Sequence, residues 1–271
     1  MIPFVKAHAC GNDFLVVDGT RVSAERQREL AIKLCRRNTG VGADGVEYLE
    51  WTGERSGKIR LFNADGSVAE ISGNGTRCVA TWMAHEKKLG AGDMITLETD
   101  AGARECRIVE AEGDRFQIAS RMGVPTIAPR SVTLGDGTVV EGVAVSVGNP
   151  HFVIFGGDAR FVVGGRSWQE IGQEICFHKD FPEQTNVEFV RVIGTNEIEI
   201  RIFERGVGPT TSSGTGTCAT AVATIAQHGG AAHLLVRAPG GEQRVEWQGG
   251  ESEILLTGPA ELIAVGEAFE C

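Results

Sequence analysis

The chain has a single tyrosine and four tryptophans in 271 residues, which argues against an aromatic-rich recognition face. It also lacks any excess of basic residues. A net charge of −10 argues against nucleic acid or an anionic membrane as partner. A small anionic substrate is still allowed, because backbone N–H groups and a few arginines can build a local positive site. Seven cysteines, at positions 10, 35, 78, 106, 176, 218 and 271, are odd in number, widely spaced and without a CxxC pair. That speaks against a disulfide framework or a structural zinc, and for a reducing, cytoplasmic setting. The opening MIPFVKAHACGNDF has no basic region followed by a long apolar run, so no signal peptide is expected. No membrane span is expected either. The run Gly206–Val236 is free of Asp, Glu, Lys and Arg, but glycines, Pro209 and Gly229-Gly230 break it, which suits a buried helix instead.

What the chain does have is a repeat. Arg60–Thr76 (RLFNADGSVAEISGNGT) recurs as Arg201–Thr217 (RIFERGVGPTTSSGTGT) at a constant offset of 141 residues. Arg60 matches Arg201, Phe62 matches Phe203, and Ser72-Gly73 matches Ser213-Gly214. Gly11–Val17 (GNDFLVV) likewise resembles Gly148–Ile154 (GNPHFVI), at an offset of 137. Two related halves can present matched groups to opposite faces of a single carbon.

Each half reads as a turn entering a strand, an amphipathic helix, a second strand, a Ser-Gly-x-Gly-Thr turn and a second helix. The first helices are predicted at Ala24–Arg37 after Ser23 and at Trp168–His178 after Ser167. The second are predicted at Thr76–Leu89 and Thr217–His228, the latter apolar nearly all round and therefore enclosed. Further strands are predicted at Ile59–Phe62, Ile95–Glu98, Arg104–Val109, Arg115–Ser120, Thr138–Val147, Asn186–Arg191, Ile198–Phe203, His233–Arg237, Gln243–Trp247 and Glu253–Thr257. Many short strands and four helices indicate an α+β protein with mostly antiparallel pairing. Gly123, Pro125 and Pro129 place the crossover between halves near Met122–Pro129.

A glycine-rich turn that opens a buried helix exposes N–H groups at its positive end and can hold a carboxylate or phosphate. Glycine there would admit a ligand close to the backbone and permit positive φ. Neither turn is a P-loop, since no lysine follows the last glycine. Neither fits the dinucleotide fingerprint, because the third glycine is missing and the strand pattern does not read as βαβ. His151 and Glu204, at the mouths of duplicated strands, are the ionisable candidates, with Asn63 in the place equivalent to Glu204. Histidines 8, 85, 178, 228 and 233 show no metal-ligand spacing, so no metal is expected. Ser72 or Ser213 with His151 and Glu204 could compose a hydrolase triad, but the G-x-S-x-G elbow is absent.

GNDF at 11–14, GADG at 42–45, FNADGS at 62–67, SGNGTR at 72–77, GNPHF at 148–152, TNVEFV at 185–190, ERG at 204–206 and SGTGTC at 213–218 together resemble the diaminopimelate epimerase family over nearly the whole chain. The resemblance implies two pseudo-symmetric domains, each a curved, mostly antiparallel sheet around a central helix, with the ligand in the cleft between. Their expected limits are 1–121, joined by 263–271, and 122–262. It implies cofactor-independent inversion at an amino-acid α-carbon, with one cysteine thiolate removing the proton and a second thiol returning one to the opposite face. Here Ser72 and Ser213 occupy those two positions, and the family's helpers would be His151 and Glu204. The resemblance assigns Gly73, Asn74, Gly214 and Thr215 to the proximal carboxylate. Asn12, Asn63, Asn149, Asn186, Glu204 and Arg205 fall to the distal end of the substrate. Cys78 and Cys218 lie too far inside the helices to replace the thiols. Pro209 stands where an acidic residue is usual, and Gly45 where glutamine is frequent.

Three functions fit this pattern. The chain could be an amino-acid epimerase, acting on LL- to meso-diaminopimelate in lysine and peptidoglycan biosynthesis, slowed or trapped by its serine pair. It could be a related isomerase or dehydratase needing one base. It could be a binding protein for such an amino acid. Its partner is expected to be a small-molecule amino acid, with no cofactor, and the chain to be a monomer or homodimer.

Overall fold

The structure, a computed structural model, describes residues 1–69, 72–156, 158–229 and 231–269. The side chain of His228, Gly230 of the expected double-glycine stop, and Cys271 lie outside the described residues. The chain divides into two compact units, residues 1–120 with 257–271 and residues 121–256.

In the first unit, Ile2–Ala9 (β1) and Asn12–Asp18 (β2) form a hairpin, and Ala24–Cys35 (α1) leads to Gly45–Trp51 (β3). β3 runs parallel to β2, with Phe14 opposite Gly45 and Val16 opposite Glu47. Ser56–Asn63 (β4) returns antiparallel, with Leu61 opposite Glu47. Val68–Ala69 (β5) precedes Gly73–Glu86 (α2), and Met94–Thr99 (β6) lies parallel to β4. Gly102–Glu112 (β7) and Arg115–Arg121 (β8) extend the antiparallel part.

The second unit repeats the plan after Thr126–Thr133 (β9) and Val139–Ser146 (β10), which pair antiparallel. Pro150–Phe155 (β11), Trp168–Cys176 (α3) and Asn186–Gly194 (β12) match β2, α1 and β3, with His151 opposite Asn186 in the parallel register. Glu197–Glu204 (β13), Gly208–Thr210 (β14), Gly214–His228 (α4) and His233–Ala238 (β15) match β4, β5, α2 and β6. Gly241–Glu246 (β16) follows, and Leu255–Ala268 (β17) ends in antiparallel pairing with β1.

Strand alternation decides what each helix covers. On β2, Val16 packs with Val79, Ala80, Met83 and Ala84 of α2, whereas Leu15 and Val17 pack with Leu30, Ala31 and Leu34 of α1. On β11, Val153 packs with Cys218, Ala219 and Val222 of α4, whereas Phe152 and Ile154 pack with Ile171 and Ile175 of α3. α2 and α4 are therefore enclosed helices, each wrapped by a mostly antiparallel sheet. At about 25 cal/mol per Å² of apolar surface, these enclosed stripes are the main source of stability. No helix of the described residues is long and apolar enough to cross a membrane.

The structure departs from the sequence-based expectations in four places. Both central helices begin three residues earlier than predicted, at Gly73 and Gly214 rather than Thr76 and Thr217. Glycine is a poor helix former, but Ser72 and Ser213 accept hydrogen bonds from Gly75 and Gly216 N–H and cap the glycine turns into the first helical turn. β-α-β connections do occur, two in each unit, although the pattern did not read that way. The stretch around Pro129 belongs to a strand, with Pro129 opposite Val143. β1 and β3 are strands that were not predicted, and β17 is far longer than Glu253–Thr257.

Helix caps matched their residues unevenly. Ser167 forms a full capping box with Glu170, whereas Ser23 holds the N-cap position of α1 without a side-chain bond to the helix. Gly229 ends α4 in the left-handed region, at φ 60°.

Candidate active site

Each unit carries a candidate site at the N-terminus of its enclosed helix. In the first, Ser72 Oγ accepts from Gly75 N–H at 3.1 Å, and Thr76 N–H donates to the Ser72 carbonyl at 2.8 Å. The Asn74 side chain does not face outward. It is buried, donating to Asn12 Oδ1 at 3.1 Å and accepting from Arg77 Nη2. Asn12 donates in turn to Asp44 Oδ2 at 2.7 Å, and Arg37 bridges Asp44 and Asp13 at 2.7 and 2.8 Å. Burial of Asp13 opposes ionisation, yet hydrogen bonds from Arg37 and Lys6 outweigh it and hold the carboxyl below its usual range. Asn12 and Asn74 are thus joined, while Asn63 donates to Ser67 in its own turn at 2.9 Å.

In the second unit, Ser213 is buried and accepts from Gly216 N–H at 3.3 Å. A chain of contacts runs beside it. Glu188 Oε1 meets His151 Nδ1 at 2.7 Å, His151 Nε2 meets Asn149 Oδ1 at 2.9 Å, and Asn149 Nδ2 donates to Thr215 Oγ1 at 3.4 Å. Both ring nitrogens of His151 are engaged, and the side chain is fully buried. Asn186 Oδ1 accepts from the Arg205 backbone N–H at 2.9 Å, and the Arg205 guanidinium donates to the Glu183 carbonyl at 3.0 Å. Glu204 closes β13 and is half-buried. His151, Asn149 and Thr215 are brought together, and Asn186 with Arg205.

The role foreseen for the glycines needs correction. Gly73, Gly75, Gly214 and Gly216 all keep ordinary helical φ, so left-handed freedom is not what these positions use. Gly75 and Gly216 instead make room for two buried carboxylates. A Cβ on Gly75 would sit 2.1 Å from Glu47 Oε1, and one on Gly216 would sit 2.9 Å from Glu188 Oε1. The same two points lie 3.3 Å from Ser72 Cβ and 3.2 Å from Ser213 Cβ. Each capping serine therefore has a buried glutamate as neighbour.

Glu47 and Glu188 were not singled out from the sequence. The signal was present: they are separated by 141 residues, the offset that relates Ser72 to Ser213, and each is an acid inside an apolar strand run. Their surroundings differ. Phe14 holds the register position in β2 that His151 holds in β11, so Glu188 has an imidazole partner and Glu47 has none. Neither oxygen of Glu47 meets a hydrogen-bond partner among the described residues, and burial pushes its carboxyl up from 4.5 to about 8. Cys78 and Cys218 are fully buried, and burial pushes the Cys78 thiol upward, which leaves it unfit as a base. Among the described residues no group of three or more His, Cys, Asp or Glu is arranged to hold a metal ion.

A two-unit α+β chain with a capped, enclosed helix in each unit defines a class of fold. The phenazine biosynthesis protein of the PhzF family from Bacillus anthracis shares it, with TM-score 0.76 at 17% identity over 99% of both chains. So does a probable proline racemase from Agrobacterium radiobacter, with TM-score 0.73 at 15% identity over 99% of this chain and 93% of that one. At those identities the likeness is one of fold. The diaminopimelate epimerase family profile matches residues 4–128 and 143–263. Diaminopimelate epimerases of Bacteroides thetaiotaomicron and Pelotomaculum thermopropionicum are 37% and 38% identical to it. The alignments cover 98% and 97% of this chain, and 97% and 98% of those proteins. The chain belongs to the diaminopimelate epimerase family and is an isomerase.

Proposed function

We propose that this protein is a cofactor-independent amino-acid epimerase that interconverts LL- and meso-diaminopimelate, a step of lysine and peptidoglycan synthesis, with Ser72 and Ser213 in the places of the family's two cysteines. The observation that carries this reading is the pair of serine-capped helix N-termini, at one internal offset and each backed by a buried glutamate. First-turn N–H groups of α2 and α4, at Gly73, Asn74, Gly214 and Thr215, suit an α-carboxylate and the charge that builds up when the α-proton leaves. Asn12, Asn63, Asn149, Asn186, Glu204 and Arg205 serve the distal amino and carboxyl groups, with Arg205 for the carboxylate.

In the reaction one serine oxygen takes the α-proton and the other hydroxyl returns a proton to the opposite face. A hydroxyl is several pH units less acidic than the thiol's ~8.5, so each serine depends on a neighbouring acid–base group, His151 and Glu204 being the candidates. A second reading is supported by the capping itself. Both serine oxygens accept helix N–H bonds, which suits a protein that binds the amino acid without turning it over.

Deuterium incorporation at the α-carbon in D₂O separates the readings. Inversion with incorporation is expected. Calorimetric binding without incorporation would replace the epimerase reading with the binding one, and incorporation without inversion would indicate a one-base isomerase.

A further inference from the structure

We propose that Glu47 is the proton-holding residue of the first half-site, a neutral carboxylic acid that works through Ser72. It is a positioning residue, and the proposal rests on the epimerase reading above. When Ser72 delivers its hydroxyl proton to the carbanion, the new Cα–H bond forms with the carbanion's electron pair. Glu47 gives its own proton to the Ser72 oxygen, so the negative charge finishes on the glutamate. In the reverse direction the Ser72 oxygen takes the α-proton while its hydroxyl proton passes to the Glu47 carboxylate. Atoms and charge balance without a further reactant.

Packing alone gives no reason for an acid at this position. Glu47 lies in β3 between Val16 and Leu61 on the neighbouring strands, where leucine or valine would fill the space. It is 1% exposed and neither oxygen has a partner among the described residues, an arrangement that weakens the fold. The carboxyl is pressed into the first turn of α2 at Gly75, against the same point as the Ser72 side chain. That turn also presents the N–H groups suited to an α-carboxylate, and an ionised Glu47 would repel such a ligand. A neutral Glu47 leaves the helix end free for it.

The two half-sites place one residue type in opposite surroundings. Glu188 is held by the His151 imidazole, whereas Glu47 faces apolar strands. Such a split suits one side to donate a proton and the other to accept. The ionisable group that faces Glu47 from α2 is Cys78, whose thiol burial keeps protonated. Arg77, Cys10 and Asp13 act on Cys78, while burial alone governs Glu47.

The test compares solvent deuterium exchange from LL- and from meso-diaminopimelate, each followed separately, in the full-length protein and in Glu47→Gln. The amide keeps the shape but cannot release a proton. Inversion should fall at least about 100-fold, exchange from one epimer should stop, and exchange from the other should continue. Unchanged exchange from both epimers, or equal loss from both, overturns the proposal. Absence of exchange in the unaltered protein sinks the epimerase reading itself. Should the variant fail to fold, the unaltered protein provides two readouts. An infrared band of a protonated acid should be present at pH 7 and vanish near pH 9. Exchange from the same single epimer, which needs the ionised carboxylate as proton acceptor, should rise as pH passes through that change, and an acid already ionised at pH 7 refutes the proposal.

Discussion

Replacing Glu47 with glutamine should change how stability depends on pH, and the direction follows from burial. The side chain is enclosed, and burial raises its carboxyl from 4.5 to about 8. Below pH 4.5 both folded and unfolded chains hold the proton. Between pH 4.5 and about 8 the unfolded chain releases it while the folded chain keeps it, so the native state binds more protons and stability falls as pH rises. Above about 8 both states are ionised and the loss is complete. At about 1.4 kcal/mol per pH unit, the charge-bearing residue removes about 4 to 5 kcal/mol across that window. Glutamine has the same shape and no such titration. Urea unfolding of the two proteins at pH 4.5 and pH 8.5 cancels every other group they share. The variant's relative stability should rise by about 4 kcal/mol between those conditions. A difference that is flat with pH would mean that Glu47 is ionised in the folded state, and the desolvation argument would be wrong.

Other substitutions probe the same geometry. Gly75→Ala places a methyl 2.1 Å from Glu47 Oε1, so it should cost about 1–3 kcal/mol where alanine in a helix ordinarily stabilises, and adding Glu47→Ala should recover the loss. Gly216→Ala, at 2.9 Å from Glu188 Oε1, should cost less, and denaturation midpoints rank the two. His151→Leu strips the partner from a fully buried Glu188 and should cost about 3–5 kcal/mol. Most of that should return in the His151→Leu/Glu188→Leu double variant, as read by calorimetry. Introducing thiols with Ser72→Cys and Ser213→Cys together should raise epimerisation of diaminopimelate at least about 100-fold, because a thiol, at ~8.5, gives up its proton several pH units below a hydroxyl. An equal rate in a coupled assay would show that the serines are not the proton-transfer groups.

The expectations that held were those written in local order. The 141-residue repeat, the capping Ser167 and the stop at Gly229 are local features, and each formed the turn or cap its chemistry favours. Capping by Ser72 and Ser213 draws the glycine turns into the helices, so α2 and α4 start three residues earlier than predicted. The misses were of another kind. β3 gave a weak local signal, because a strand buried on both faces loses its alternation.

The sequence by itself determined the duplication, the α+β class and the serine at each helix start, since these depend on residue type and spacing. Only the tertiary structure decided that Glu47 and Glu188 stand behind those serines. Alternation along β3 and β12 tells which residues share a face, but not which helix that face meets. The parallel registers of β2 with β3 and of β11 with β12 settle it, pairing one glutamate with a histidine and leaving the other among apolar side chains. The difference between the two helix starts is a property of neighbours distant in the chain, fixed when each sheet closes around its own helix.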